Sequence, residues 1–363
     1  MKTSFSYYLD YISKYAGYIA AFIVVILSLL VAYDSVMRYL FASGSIALQE
    51  IEWHLFDVIF LLGLTYALKH DKHVRVDIFY EHYTQDTKAM VQILSQLLLI
   101  LPFSVLFVYD AYDMALQSFL QQEVSSDPGG LPYRWVIKGV LVFAFILLIL
   151  QSFSEMIKAW QRLVSRRILL QALGMISVLG VLVYSAWYYR MAYWIDPLLL
   201  MFALSLFLLM VGFQVAFVFA STALFFAVIT DEVGLHVLEM LPYRTYGIMD
   251  NATLMAVPLF VFMGLILEKS KMAEGLLMSM GKLFGRVRGG LAISVVLVGA
   301  ILGASTGIVG ASVVMMSLIA LPLMLKHGYA PTLASGSIAA SGTLGQLIPP
   351  SIILIILGDQ MHL

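Results

Sequence analysis

A polytopic α-helical membrane fold is what this sequence predicts, and three observations carry the prediction. Apolar residues make up 61% and charged residues only 12% of the 363 positions, against roughly 45–50% and 25% in soluble domains. The apolar residues fall in unbroken runs such as 97–101 and 146–150, without the alternation of a transmembrane β-strand. Lys and Arg sort into alternate connections, as short cytoplasmic loops do. A net charge of −1 offers no basic excess for nucleic acid, and the low polarity excludes a soluble enzyme and a disordered chain. The lack of cysteine excludes a disulfide scaffold, a Cys nucleophile and a thiolate metal site. No cleavable signal peptide is expected, because 1–14 is polar-aromatic and the apolar run after it ends without a small-residue cleavage pattern.

A hydrocarbon core of roughly 30 Å takes about 20 apolar residues per helix. Read with that window, spans fall near 16–33, 51–68, 91–109, 135–157, 168–188, 197–211, 213–229 and 252–267. An interrupted apolar stretch over 290–357 brings the total to about nine. Of the 21 basic residues, only Arg38, Arg134, Lys138, Arg190 and Arg244 lie in the second set of connections. The N-terminus is therefore expected in the cytoplasm. The basic segment 158–167 closes a four-span unit over 1–167. The span at 168–190 reads as a linker helix, and 191–363 as a second unit rich in glycine and small residues.

Two polar clusters in the first unit invite a functional reading. His70, Asp71, His73 and Asp77 are metal-type ligands, yet Lys69, Lys72 and Arg75 among them favour a solvated basic loop. Glu50, Glu52, His54 and Asp57 crowd the outer end of the second span, with Glu50 and His54 at i, i+4. Asp57 lies about two turns inside, where an acid is a functional candidate. A polar interface at the helix end is the cheaper reading for the group.

The second unit carries the broken segments. The runs 291–302 and 313–325 flank Gly303-Ala-Ser305-Thr306-Gly307-Ile-Val-Gly310-Ala-Ser312. Each is about 18–20 Å long as helix, too short to cross alone, and both outer ends are basic. A re-entrant hairpin over 290–327 with its tip near 305–310 satisfies both facts. Gly299, Gly303 and Gly307 set a bare stripe along one face, which lets another backbone approach closely. The next span, 330–357, breaks at Gly342-Thr343-Leu-Gly345-Gln-Leu-Ile-Pro349-Pro350, because the two prolines remove backbone donors and push the preceding residues out of the α region. Helix is expected to stop near Ser341 and to resume after Pro350. Unwound backbone at membrane depth belongs where it lines a cavity, and its carbonyls suit a small cation while half-helix N-termini suit an anion. No Asp or Glu occurs over 276–358. A cation there is held by hydroxyls and carbonyls, which fits Na⁺ better than H⁺. The expected Na⁺ ligands are Ser305, Ser341, Gly342, Thr343, Gly345 and Pro349, and the expected contacts to an anionic substrate are Ser305, Thr306, Gly307 and Ser312.

At these residues the chain resembles a known family. Pro258-Leu-Phe-Val-Phe-Met-Gly264, the 303–312 run, Leu321-Pro-Leu-Met-Leu-Lys-His-Gly-Tyr329 and Ala339-Ala-Ser-Gly-Thr-Leu-Gly-Gln-Leu-Ile-Pro-Pro350-Ser are similar to the large membrane subunit of tripartite ATP-independent periplasmic (TRAP) transporters. Gly63, Ala67 and His73-Val-Arg-Val-Asp77 resemble their small four-helix subunit. Fused versions join the two by one extra span, as 168–188 would. The resemblance covers essentially the whole chain, and the 339–351 stretch is its most specific part. It implies the first half of an inverted-repeat, elevator-type transporter: a Na⁺-driven importer of organic anions, such as C4-dicarboxylates or sugar acids, in the bacterial inner membrane. It further implies a periplasmic substrate-binding protein as partner, with Na⁺ as coupling ion and neither cofactor nor enzymatic activity. The family's large subunit has two inverted halves, whereas only one hairpin and one broken helix precede Leu363. The sequence thus reads as cut short within that subunit, which leaves a non-transporting fragment and a stand-alone elevator-type anion/cation symporter as alternatives.

Overall fold

The computed structural model describes residues 4–163, 197–229, 236–270, 272–285, 287–306, 309–345, 347 and 351–361, with positions 174, 177, 178, 180, 181, 184, 185 and 188 between them. The linker span at 168–190 thus lies largely outside the described residues. Every element named below is helical; among the described residues the only strand-like pairing is an isolated antiparallel bridge between Arg75 and Gln214. The chain divides into two compact units, Met1–Asp250 and Asn251–Leu363.

Among the described residues of the first unit, four helical stretches are long and apolar enough to cross a membrane: Phe5–Phe41, Ile46–Lys69, Gln85–Leu120 and Trp135–Arg162. Helix α1 (Ser4–Phe41) runs about 57 Å at 1.5 Å per residue and stops at Ala42, whose φ of +49° leaves the helical region. Phe22 and Leu29, midway along it, are 67% and 68% exposed, a surface suited to lipid rather than water. Helix α2 (Ile46–Lys69) crosses α1 closely: a methyl on Gly17 would overlap the Tyr66 ring.

Helix α3 (Gln85–Leu94) starts where the Thr84 hydroxyl accepts the Thr87 N–H. It runs through a wider π-type turn, Ser95–Ile100, into α4 (Leu101–Leu120), with Pro102 in its first turn. Proline has no N–H for the preceding turn, and a π-type turn absorbs the mismatch without ending the span. Helix α5 (Trp135–Arg162) closes the bundle, its Phe145 stacked on Phe107 at 4.0 Å. Near its basic end, Lys158 and Ser154 each donate to Asp10 Oδ1 at 2.9 Å.

Helices α6 (Pro197–Val211), α7 (Val215–Ile229) and α8 (His236–Met249) complete the unit. The first two pack on the same core as the four-helix bundle, with Leu208, Phe213 and Phe217 among its buried residues.

The second unit contains α9 (Ala252–Lys269), α10 (Met272–Leu283), α11 (Gly290–Thr306), α12 (Val309–Lys326), α13 (Pro331–Leu344) and α14 (Ile352–Gln360). Its core is built from Leu277, Val295, Val298, Leu302, Met316, Met324 and Ile338. Two sequence expectations shift. Helix α11 extends through Ala304, Ser305 and Thr306 rather than stopping at Leu302, and α12 begins at Val309 rather than Val313. These small and β-branched residues carry little cost in a helix interior compared with proline. The arms are therefore about 25–27 Å long, so shortness alone no longer argues for a re-entrant pair. The broken helix also holds to Leu344, three residues beyond Ser341.

Candidate functional site

The second unit brings the glycine-bearing arm and the broken helix together. A Cβ on Gly303 would stand 3.0 Å from both the Gly342 carbonyl oxygen and the Gly345 Cα. One on Gly299 would overlap the Ser341 side chain, and one on Gly342 would overlap the Val313 side chain and lie 3.2 Å from its backbone nitrogen. Each glycine costs roughly 0.5–1 kcal/mol in a helix relative to alanine. Here that cost is offset by backbone approach among α11, α12 and α13. The predicted stripe is therefore an assembly surface for Ser341, Gly342 and Gly345.

The local sequence explains the break. Pro331 occupies the first turn of α13, where its missing N–H is harmless. The helix ends at Leu344, short of the proline pair, and restarts at Ile352, with the Ser351 hydroxyl accepting the Leu354 N–H. Ser351 is nearly fully buried.

Ser341 is fully buried and donates to the Ile338 carbonyl at 2.9 Å. Thr343 is exposed and donates to the Ala340 carbonyl at 2.8 Å. A hydroxyl whose proton is committed to its own helix presents only lone pairs to anything else. Both groups are thus oxygen acceptors toward a cation, with no carboxylate in 276–358 to compete. Ser312 is also fully buried. The side chains of Ser305 and Thr306, and all of Gly307 and Pro349, lie outside the described residues. Of the predicted residues, the structure brings Ser341, Gly342 and Gly345 together against Gly299 and Gly303, and places Thr343 on the adjoining exposed turn.

The charged chemistry sits in the first unit. Glu50, buried to 4%, pairs with Arg134 at 2.6 Å and also accepts from the Ser125 hydroxyl and the Leu131 N–H. Arg134 donates to the Tyr246 hydroxyl at 2.9 Å and lies over the Trp53 ring. Lys138 pairs with Glu123. The cheaper reading of Glu50, a polar interface, fits this clasp of α2, the 121–134 loop, α5 and α8. Sequence reasoning missed its centre because Arg134 was counted as a loop charge. Asp57 is fully buried, and neither of its oxygens has a partner among the described residues.

The 70–77 loop keeps its solvated character on one side and gains contacts on the other. His70, Asp71, Lys72, Val74 and Asp77 are exposed, as a solvated basic loop requires, while His73 and the Val74 backbone are seated on the α6–α7 turn. The Val74 carbonyl accepts the Val215 N–H at 2.9 Å, and His73 packs edge-on against Phe217 with Nε2 3.1 Å from the Leu64 carbonyl. Burial holds the His73 imidazole below its usual pKa, only partly offset by that carbonyl. Arg75 pairs with Asp71 and covers the Tyr80 ring, and Tyr80 lies against Gly212, whose φ of +96° suits glycine. Among the described residues no three His, Cys, Asp or Glu side chains form a metal-type group.

Comparison with known proteins matches two components in succession along the chain. Residues 27–162 match the DctQ component of tripartite ATP-independent periplasmic transporters, and 199–362 match the DctM component. The isethionate TRAP transporter permease protein DctMQ of Oleidesulfovibrio alaskensis is 22% identical over 336 residues, covering 93% of this chain and 51% of that protein. A C4-dicarboxylate TRAP transporter large permease protein DctM of Pseudomonas aeruginosa is 33% identical over 116 residues, 32% of this chain and 27% of the relative. The uncharacterized protein YgiK of Salmonella typhimurium is 31% identical over 163 residues, 45% and 37% respectively. The chain spans about half the length or less of these relatives. With both family models and a relative that likewise joins the two components, the chain belongs to the tripartite ATP-independent periplasmic transporters, as a fused DctQ–DctM membrane component.

Proposed function

We propose that the chain is the membrane component of a Na⁺-coupled secondary importer of organic anions, carboxylates such as C4-dicarboxylates or sugar acids, fed by a periplasmic substrate-binding protein. In this reading, 1–167 is the small-subunit-like domain, 168–190 the linker helix and 191–363 the first half of an elevator-type transport subunit. It lies in the bacterial inner membrane with its N-terminus in the cytoplasm, and it is not an enzyme. The observation that carries the reading is the acid-free junction of Gly299 and Gly303 with Ser341, Gly342 and Gly345 at a helix break. Neutral oxygens bind an alkali cation without fixing it permanently, as a carrier needs.

The Na⁺ ligands in this proposal are Ser305, Ser341, Gly342, Thr343, Gly345 and Pro349, with Ser305, Thr306, Gly307 and Ser312 facing the anion. Contacts of backbone N–H groups and helix ends to an anion are each modest, of order 0.3–2 kcal/mol. Tight capture therefore falls to the soluble partner. In vesicles bearing a carrier completed to the length of its relatives, carboxylate uptake requires both a Na⁺ gradient and the cognate binding protein. Thr343→Val raises the Na⁺ concentration for half-maximal uptake. Robust Na⁺-driven uptake of free substrate without any soluble partner would contradict the delivery scheme, and unchanged Na⁺ dependence in Thr343→Val would remove that residue from the site.

A further inference from the structure

The basic end of the second unit holds a site that the transport reading does not use. A cavity of about 400 Å³ opens between α10, the turn leading into α11, and the end of α12. Lys282, His327 and Tyr329 supply its polar groups, and Met278, Leu291 and Leu323 its apolar walls. Arg288 and Lys326 stand one residue from the lining positions Val287 and His327. No Asp or Glu occurs over 276–358 to balance them. Among the described residues, none of the ion pairs involves Lys282, Arg288 or Lys326.

Cations gathered at one end of an apolar helical unit, around a cavity walled by aliphatic side chains, have no carboxylate paired with them among the described residues. We propose that this cavity binds the headgroup of an acidic phospholipid, the phosphodiester beside Lys282 and the first acyl carbons against Leu291 and Leu323. Basic pockets between membrane helices on the positively charged face recognise anionic headgroups in this way. A soluble phosphate shares the charge but leaves the apolar walls uncovered, which is why the lipid is the favoured occupant. The assignment rests on this cavity and its charge alone, independent of Na⁺ or substrate.

The test uses the full chain purified in detergent and native mass spectrometry. The chain is titrated separately with dioleoyl-phosphatidylglycerol, dioleoyl-phosphatidylcholine and inorganic phosphate. Phosphatidylglycerol is retained over phosphatidylcholine, and Lys282→Gln lowers its occupancy about fivefold, the weight of one basic residue near an anionic headgroup. Lys282→Arg restores it, and Lys72→Gln in the first unit leaves it unchanged. Equal retention of the two lipids, or a Lys282→Gln protein that retains phosphatidylglycerol like the parent, would overturn the proposal. Inorganic phosphate that binds the parent while phosphatidylglycerol shows no preference would assign the cavity to a free anion and overturn it as well.

Discussion

Two polar regions of this apolar chain solve the same problem in opposite ways. The Glu50–Arg134 clasp buries full charges and pairs them through a salt bridge, a hydroxyl, a backbone N–H and the Tyr246 hydroxyl, leaving only Arg134 Nε without a partner among the described residues of the clasp. The helix break at Ser341–Gly345 buries no charge at all and relies on glycine contacts, carbonyls and self-satisfied hydroxyls. Removing one partner from a buried pair strands the other, so the clasp has one good geometry and a steep cost for leaving it. A neutral junction loses little when it opens. The difference separates a charged part held in one arrangement from a neutral part, which the proposed function makes the cation site.

The largest expected effect breaks the clasp. Arg134→Leu leaves the Glu50 carboxylate buried without its cation and lowers stability by about 3–5 kcal/mol, seen as a fall in the thermal unfolding midpoint in detergent. Glu50→Leu/Arg134→Leu loses clearly less than the sum of the two single variants, since the pair is coupled. Additive losses would mean that the pair contributes no coupling.

The neutral junction predicts a smaller and purely steric penalty. Gly299→Val forces α11 away from Ser341 and costs about 1–3 kcal/mol, and Ser341→Gly in the same chain recovers part of it. A Gly299→Val protein with unchanged stability would show that the close approach is not needed.

Much of this architecture was legible in advance, for identifiable reasons. Long non-alternating apolar runs fixed the four-helix bundle, and Pro349-Pro350 marked the break because proline acts locally. The helix arms run longer than the sequence suggests because Gly303 and the hydroxyls of Ser305 and Thr306 resemble punctuation, although small residues cost a helix far less than proline does. The clasp was not legible, because Arg134 lies 84 residues from Glu50 and 112 from Tyr246, and nothing local announces a long-range ion pair. The same holds for His73, whose burial comes from the α6–α7 turn and not from its basic neighbours.

The seat of the 70–77 loop sharpens the comparison through pH. Because burial depresses the His73 pKa in the fold, the unfolded chain takes up the proton first. This contribution is fully present above the ordinary histidine value of 6.5 and is lost as the pH falls through the lower folded value. Midpoints measured from pH 7.5 downward fall on the acid side, and His73→Gln flattens that limb. The smallest effect belongs to Glu123. Burial raises its carboxyl, but the Lys138 ammonium beside it holds it below the ordinary 4.5. Stability from this half-exposed pair, about 0–1 kcal/mol, is present above pH 4.5 and lost below it. Glu123→Gln removes that final acid step.

The central claim is that the acid-free break holds Na⁺, and the chain offers a direct way to ask. It has no cysteine, so Leu347→Cys, at a position 71% exposed just beyond α13, places a single thiol beside the proposed ligands. Its rate of alkylation by a maleimide is measured in detergent at matched ionic strength in NaCl and in KCl. The account predicts that Na⁺ slows labelling severalfold, in a saturable manner, and that Thr343→Val shifts the curve to higher Na⁺. Labelling at the same rate in both salts would contradict it.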